Sequence, residues 1–276
     1  MDIVNHYKVT DPQYKLSIIE ALEGIKIMSD GANKPLLIRG INKETGDKGE
    51  FIVKFNAAER MDEGARCYEF LGSCIAKELG LHPAESVIIE ITQDFVDQSV
   101  GKDWWGMANK SVGYNYGCYY TPGGVDFVVG NSLTSSQRSE AQKIFAFDIL
   151  ISNPDRNNEK QNMVTDGENI LIFDHELAFG FLFALFYNNK TPWIIDEKEE
   201  VWIKKHYFYP QLKGNTVEFA EFIDKLASID DNFWDKIYEH IPEMWKVDNI
   251  IKIKNQIKSF VENREVFFTE LKKIVE

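Results

Sequence analysis

The chain has 276 residues, 44% of them hydrophobic and 13% aromatic, with 31 basic against 44 acidic side chains and a formal net charge of −13. That length and apolar content can bury a sizeable core, as one two-lobed unit or two small domains, and exclude a disordered chain. The acidic balance argues against non-specific binding to nucleic acid or to an anionic membrane surface, because either encounter would begin with repulsion, and leaves room only for a local basic patch.

Three cysteines, Cys67, Cys74 and Cys118, form no CxxC pair and are odd in number, so they read as reduced thiols rather than a zinc site or a disulfide framework. Cys67 and Cys74, seven apart, share a helix face. The N-terminus shows no basic patch followed by an apolar run, and the longest apolar run, residues 177–187, is too short to span a bilayer. The expectation is a soluble, cytoplasmic protein without a transmembrane segment.

In chain order, Ser29-Asp30-Gly31-Ala32-Asn33-Lys34-Pro35 comes first. A glycine here lets backbone amides approach a phosphate and Lys34 adds charge, but the loop is neither a Walker A sequence nor GxGxxG. Residues 36–55 predict a hairpin around a turn-rich segment at 42–49, with Lys54 on the face opposite Phe51, Val53 and Phe55. Tyr68, Leu71, Ile75 and Leu79 recur at helical spacing over residues 62–79, and Gly80 supplies the stop. Glu69 on this helix is placed to hold the Lys54 ammonium, with Glu63 as the competitor. A strand is predicted at Ser86-Val87-Ile88-Ile89-Glu90-Ile91.

Residues 92–131 lose periodicity and read as a connector of irregular or short-strand structure. A division into residues 1–92 and 93–276 follows. Trp104-Trp105 in the connector wall an adenine pocket or a partner surface, or simply pack. A helix begins at Thr134-Ser135-Ser136-Gln137 and must end before Pro154. Beyond Thr216 the pattern is helical: residues 219–223, 233–241, and a long amphipathic segment from Lys246.

The chemistry concentrates between these helices. Pro154 stops a helix and leaves Asp155 in a loop; Asn162 leads into a strand; Asp174 ends the next one after a short hairpin at Asp166-Gly167. Two carboxylates and an amide so placed are what ATP-dependent phosphoryl transfer needs, one group for the hydroxyl proton and two oxygen ligands for Mg²⁺. Leu177-Ala178-Phe179-Gly180-Phe181-Leu182-Phe183 reads as core beneath that site rather than a lipid patch. Residues 196–200 read as a solvated acidic face, and His206 and His240 show no metal-ligand pattern.

Asn153-x-Asp155-Arg156, a downstream Asn and a strand followed by Asp174-His175 resemble the HipA-like kinases and, more distantly, type II phosphatidylinositol 4-kinases. Gly31-Ala32-Asn33-Lys34 resembles the HipA phosphate loop, and Glu69 with Ala76-Lys77-Glu78-Leu79-Gly80-Leu81 resembles its following helix. The resemblance covers residues 25–210. It implies an α+β, bilobal protein-kinase-like fold with a small β-rich N-lobe and a mainly helical C-lobe. In it Asp155 is the catalytic base, Lys54 and Glu69 form the catalytic ion pair, Asn162 and Asp174 bind Mg²⁺, and Gly31, Ala32, Asn33, Lys34, Lys54 and Glu90 serve ATP. It further implies a protein Ser/Thr acceptor, an antitoxin-like partner and autophosphorylation near Ser29. A lipid or small-molecule kinase and a nucleotide-binding pseudokinase are the alternatives.

Two departures from that family stand out. The metal-binding Asn belongs five residues after the base, where this chain has Lys160; either a longer loop brings Asn162 to the same place or one ligand is lost. Glu176 stands where kinases often have Gly, as a further ligand or facing away, while His175 reads as a packed side chain.

Overall fold

In the computed structural model, residues 7–28, 33–128, 130–184 and 190–276 are described. Ser29, Gly31 and Ala32 lie outside these residues.

The first half is strand-rich. β1 (Ile18–Ile27), β2 (Leu36–Asn42) and β3 (Lys48–Lys54) run antiparallel in succession, followed by α1 (Glu63–Glu78), the short β4 (His82–Pro83) and β5 (Ser86–Ile91). Then come α2 (Gln93–Gln98), α3 (Trp105–Asn109) and β6 (Gly113–Tyr119). The strands close into a barrel in the order β1-β2-β3-β6-β5, with β1 and β5 joined in parallel. Alternation fills it: Phe51 and Val53 point inward with Phe55, Leu36, Ile38, Val87 and Ile89. The period of two therefore sends Lys54 outward, toward α1.

β1 and the two-residue β4 escaped the sequence patterns, and β6 was expected only as short-strand structure within the connector. β1 carries register shifts between Ala21 and Glu23 and between Gly24 and Lys26, which break the clean alternation that identifies a half-buried strand. β6 lies in the expected connector and is built from Gly, Tyr, Asn and Cys; it pairs with β3 on one side and β5 on the other. The barrel therefore extends to Tyr119, beyond the division expected at residue 92. Gly117 is what admits it. A Cβ there would meet the Ile89 side chain at 2.4 Å and the Ile52 carbonyl at 2.6 Å. Trp104 packs into the barrel cluster over Gly24 and donates to Ser99 Oγ at 3.1 Å, which is ordinary packing.

The second half is helical around a small sheet. α4 (Ser135–Leu150) leads to β7 (Met163–Thr165) and β8 (Ile170–Ile172), which join β4 in a three-stranded sheet. α5 (Glu197–Ile203), α6 (Tyr209–Leu212), α7 (Ala220–Lys225), α8 (Asp231–His240), α9 (Asn249–Glu262) and α10 (Arg264–Val275) follow. Thr134 starts α4 with a capping box to Gln137, as its sequence predicts. The single C-terminal helix expected from Lys246 is two, broken at Asn263.

α1 is buried along nearly its whole length and belongs to the larger core, together with α4, Trp245 and the C-terminal helices. Asp62 caps its first turn by accepting from the Ala65 amide at 2.8 Å. Phe70 and Tyr116 both face the Trp245 ring, so a segment from the helical half reaches the barrel wall. Among the described residues no helix is long and apolar enough to cross a membrane.

The tight strand crossing at Gly117 yields a test. Gly117→Ala must displace the Ile52 carbonyl or the Ile89 side chain, and is expected to lower stability by about 1–3 kcal/mol in urea unfolding. An unchanged midpoint would show that the strands can part there.

Candidate active site

The side chains singled out above come from four separate stretches of chain, and the fold brings most of them together. Lys54, from the outer face of β3, is buried, and its ammonium donates to Glu69 Oε1 on α1, to Asp174 Oδ1 at 2.5 Å and to Glu176 Oε2 at 3.4 Å. Glu69 Oε2 in turn accepts from the His175 amide at 2.9 Å. Glu69 rather than Glu63 is thus the partner of the strand lysine. Gly72, one turn further along α1, gives the segment room: a Cβ there would lie 2.6 Å from that of His175.

One ammonium faces three carboxylates, and the protonation balance reflects it. Burial alone would lower the Lys54 pKa, but Asp174, Glu69 and Glu176 raise it well above the ordinary lysine value, so the residue is firmly cationic. Burial pushes Glu69 up to about 7 against the pull of Lys54, and Glu176 is also raised by burial. Asp174 goes the other way. Burial would raise it, yet Lys54 and the hydrogen bonds it receives hold it below the usual carboxylate range. Asp174 is therefore the most firmly ionised carboxylate of the three.

Glu69, Asp174 and Glu176 each offer a carboxylate oxygen within 4.8 Å of the others. An all-oxygen donor set with more negative charge than its single lysine can neutralise fits a hard divalent cation such as Mg²⁺. Glu176, which the sequence left open, faces inward and also accepts from Asn33 Nδ2. Asn33 is buried and its Oδ1 takes the Arg60 amide at 3.0 Å, so this end of the phosphate-loop sequence is tied to the carboxylate cluster. Lys34 is exposed, with a left-handed φ of 41°. Glu90 is not brought in: on β5 it pairs with Lys43 at 2.5 Å on the exposed side of the barrel.

Asp155 follows Pro154 in the loop after α4. Asn162 Nδ2 donates to its Oδ2 at 3.1 Å, and Lys160 Nζ stands 3.5 Å from the same oxygen. The intervening residues make a turn closed by the Asn157 amide on the Lys160 carbonyl, with the Asn157 side chain accepting from Glu159 and Lys160. That turn takes up the extra length. Asn162 then returns beside β8, its carbonyl accepting from Phe173 at 3.0 Å, one residue before Asp174. Asn162 and Asp174 both adopt left-handed φ, at 49° and 63°, as do Ser152 and Phe179 nearby. Such backbone costs of order 1 kcal/mol per non-glycine residue and persists where surrounding contacts impose it.

At Asn162 the backbone is held by a buried hub that the motifs did not reveal. Asp148, on the last turns of α4, accepts from Arg156 Nε at 2.7 Å, Asn153 Nδ2 at 2.9 Å and His206 Nε2 at 2.9 Å. Arg156, fully buried, continues to the Asn162 carbonyl. The Phe208 amide donates to His206 Nδ1 at 3.1 Å, which fixes the imidazole as the neutral tautomer with its proton on Nε2. Burial lowers the His206 pKa accordingly, against the pull of Asp148. At Asp148 burial acts upward, but Arg156 and His206 outweigh it and hold the carboxyl down to about 2. The sequence signal was available: a lone acid in the apolar run Phe147-Asp148-Ile149 must be paired if buried.

The hydrophobic run beside the site divides. Ala178 and Phe179 are core, whereas Phe183 is exposed and touches the Tyr68 ring edge. Burial holds His175 neutral, with its pKa lowered to about 3, and it packs against Phe147.

The hub gives two expectations. Asp148→Ala strands a buried guanidinium and should cost about 3–5 kcal/mol by urea unfolding, with loss of any loop-dependent activity. In acid, both His206 and Asp148 have folded pKa values below their unfolded ones, so their contributions are present at neutral pH. The His206 contribution is lost as pH falls below its ordinary 6.5, and the Asp148 contribution as pH falls from 3.8 through about 2. Unfolding midpoints measured from pH 7 to pH 5, taken as the difference from a His206→Gln variant so that the raised Glu69 and Glu176 cancel, should fall; a difference flat in pH would contradict the neutral-histidine assignment.

Comparison with known proteins bears on this arrangement. Among solved structures, the proinflammatory kinase CtkA of Helicobacter pylori is similar over 94% of this chain and 99% of that one, with a TM-score of 0.52 and 15% sequence identity. At that identity the likeness speaks to the fold, which is kinase-like, with a strand-rich first part and a helical second part. No curated protein matches the chain. A family model described as HipA-like kinase matches residues 21–269, nearly the whole length, and the chain belongs to that family.

Proposed function

We propose that the protein is an ATP- and Mg²⁺-dependent kinase that transfers the γ-phosphoryl group to a serine or threonine hydroxyl of a protein, with the nucleotide held between a β-rich lobe and a helical lobe. The observation that carries this reading is that an ion-paired lysine and a hydrogen-bonded loop carboxylate flank the same strand pair. Lys54 is held by Glu69 beside Asp174, and Asp155 is held by Asn162 on the strand pair that leads to Asp174.

In this reading Lys54 meets the nucleotide phosphates and Glu69 keeps its ammonium in place. Asp174 and the Asn162 amide oxygen would hold the metal, with Glu176 as a further carboxylate on the same side; the Asn162 nitrogen faces Asp155, which turns its oxygen away from that carboxylate. The ion, when bound, neutralises charge on the phosphates and on the transferring group. Asp155 orients the acceptor hydroxyl and takes its proton, and the hydrogen bond from Asn162 sets the direction of its free lone pairs. Residues 31–34 cover the phosphates. Lys160, exposed and 3.5 Å from Asp155, supplies a second cation on the acceptor side of the loop. A small DNA-binding protein of antitoxin type is the partner the family suggests, and co-purification with the product of a neighbouring gene tests it.

Thermal shift and radiolabel transfer test the activity. ATP with Mg²⁺ at about a hundred times Kd should stabilise the protein by about 2.7 kcal/mol, and omission of the metal should remove most of that. Asp155→Asn should lower transfer by about 10²–10⁴-fold while keeping the nucleotide shift. Stabilisation without transfer to any cellular protein would convert the reading to a nucleotide-binding pseudokinase. Absence of both overturns it.

A further inference from the structure

A cavity of about 410 Å³ opens against the outer side of the loop that carries Asp155. Asn158, three residues past Asp155, forms one wall; Arg138 from α4 with Asn131 and Ser132 ahead of that helix form another; Tyr207 and Gln211 form the third. The walls and the loop are a single piece of structure. The Tyr207 amide donates to the Arg156 carbonyl at 3.0 Å, Asn157 pairs with His206 in an isolated bridge, and the buried Tyr207 ring packs on Phe127. A group bound in the cavity is therefore held in fixed register with Asp155.

Its chemistry is opposite to that of the molecule. The chain as a whole carries −13, yet the described lining contains an arginine, several amides, two hydroxyls and no carboxylate. Arg138 is exposed and makes no ion pair among the described residues, so its planar fork is available for a carboxylate or phosphate. It sits in the first turns of α4, a helix of 16 residues whose positive end faces the same side. The volume lies at the small end of ligand pockets, enough for a few side chains of an extended segment. For an anionic group approaching an acidic protein, this is a place where attraction replaces repulsion.

We propose that the cavity is a docking subsite for the acceptor polypeptide, and that it selects an anionic side chain, carboxylate or phosphorylated, within a few residues of the hydroxyl presented to Asp155. The role as an acceptor subsite rests on the kinase reading; the preference for an anionic peptide does not.

Fluorescence anisotropy on the full chain bearing Asp155→Asn separates the two. The probes are short labelled peptide pools with one central serine, flanked by glutamate, by phosphoserine or by lysine. The glutamate or the phosphoserine pool should bind and the lysine pool should not, and the stronger of the two acidic pools identifies which anion is read. Arg138→Glu should weaken acidic binding about tenfold. Because Arg138 is exposed, Tm should hold; Arg138→Gln, with a smaller loss in the same direction, guards against misfolding. Equal binding of the lysine pool, no binding of either acidic pool, or acidic binding indifferent to Arg138 overturns the subsite. Transfer assays with the unmodified chain distinguish the other failure: acidic binding that depends on Arg138 without label transfer to any pool keeps the subsite and removes the kinase reading. Transfer blind to flanking charge does the reverse.

Discussion

A single buried ammonium organises the molecule. Lys54 leaves the barrel on its outer face and meets carboxylates from α1 and from the segment after β8, so one charge joins the strand-rich half to the helical half. Buried alone it would be costly. Buried with three partners, it obliges α1 to lie against β3 and obliges the Asp174 segment to come up beneath both. The left-handed backbone at Asp174 and the close approach of His175 to Gly72 follow from meeting that demand within a few residues.

The second constraint acts from the opposite side. Asp148, Arg156, Asn153 and His206 form a closed, charge-balanced unit with no water-facing member, and it grips the loop around Asp155 from behind. The loop can thus be polar and exposed at its tip while its base is fixed. Support of that kind fixes the direction of a carboxylate whose side chain is only 13% exposed.

How much of this could be read from the sequence depends on the kind of signal. The lysine strand, α1, β5 and α4 were legible because each shows an uninterrupted period and recognisable end residues. β1 and the extent of β6 were not, because bulges in one and glycines and tyrosines in the other erase the alternation that marks a strand. At the site, the Lys54 and Glu69 pairing and the loop around Asp155 were expected from spacing and resemblance. Asn162, two residues late, reaches Asp155 because the Asn157 to Lys160 turn takes up the surplus, and a turn of that kind depends on side-chain hydrogen bonds that spacing does not encode. Glu90, assigned to ATP through the resemblance, pairs with Lys43 on the outer side of the barrel. The Asp148 hub escaped for a different reason: its members are spread from residue 148 to 206 and meet only in three dimensions.

The close contact between Gly72 and His175 also bears on motion. With no atom on the Gly72 side of the helix, α1 and the Asp174 segment touch backbone to side chain, and the Glu69 to His175 hydrogen bond latches them. The two are geared. A swing of the helix away from β3 would have to drag the Asp174 segment with it and unseat Trp245 from Phe70 at the far end. Helix position is therefore not independent of the Asp174 segment in this protein: the two can move only as one body.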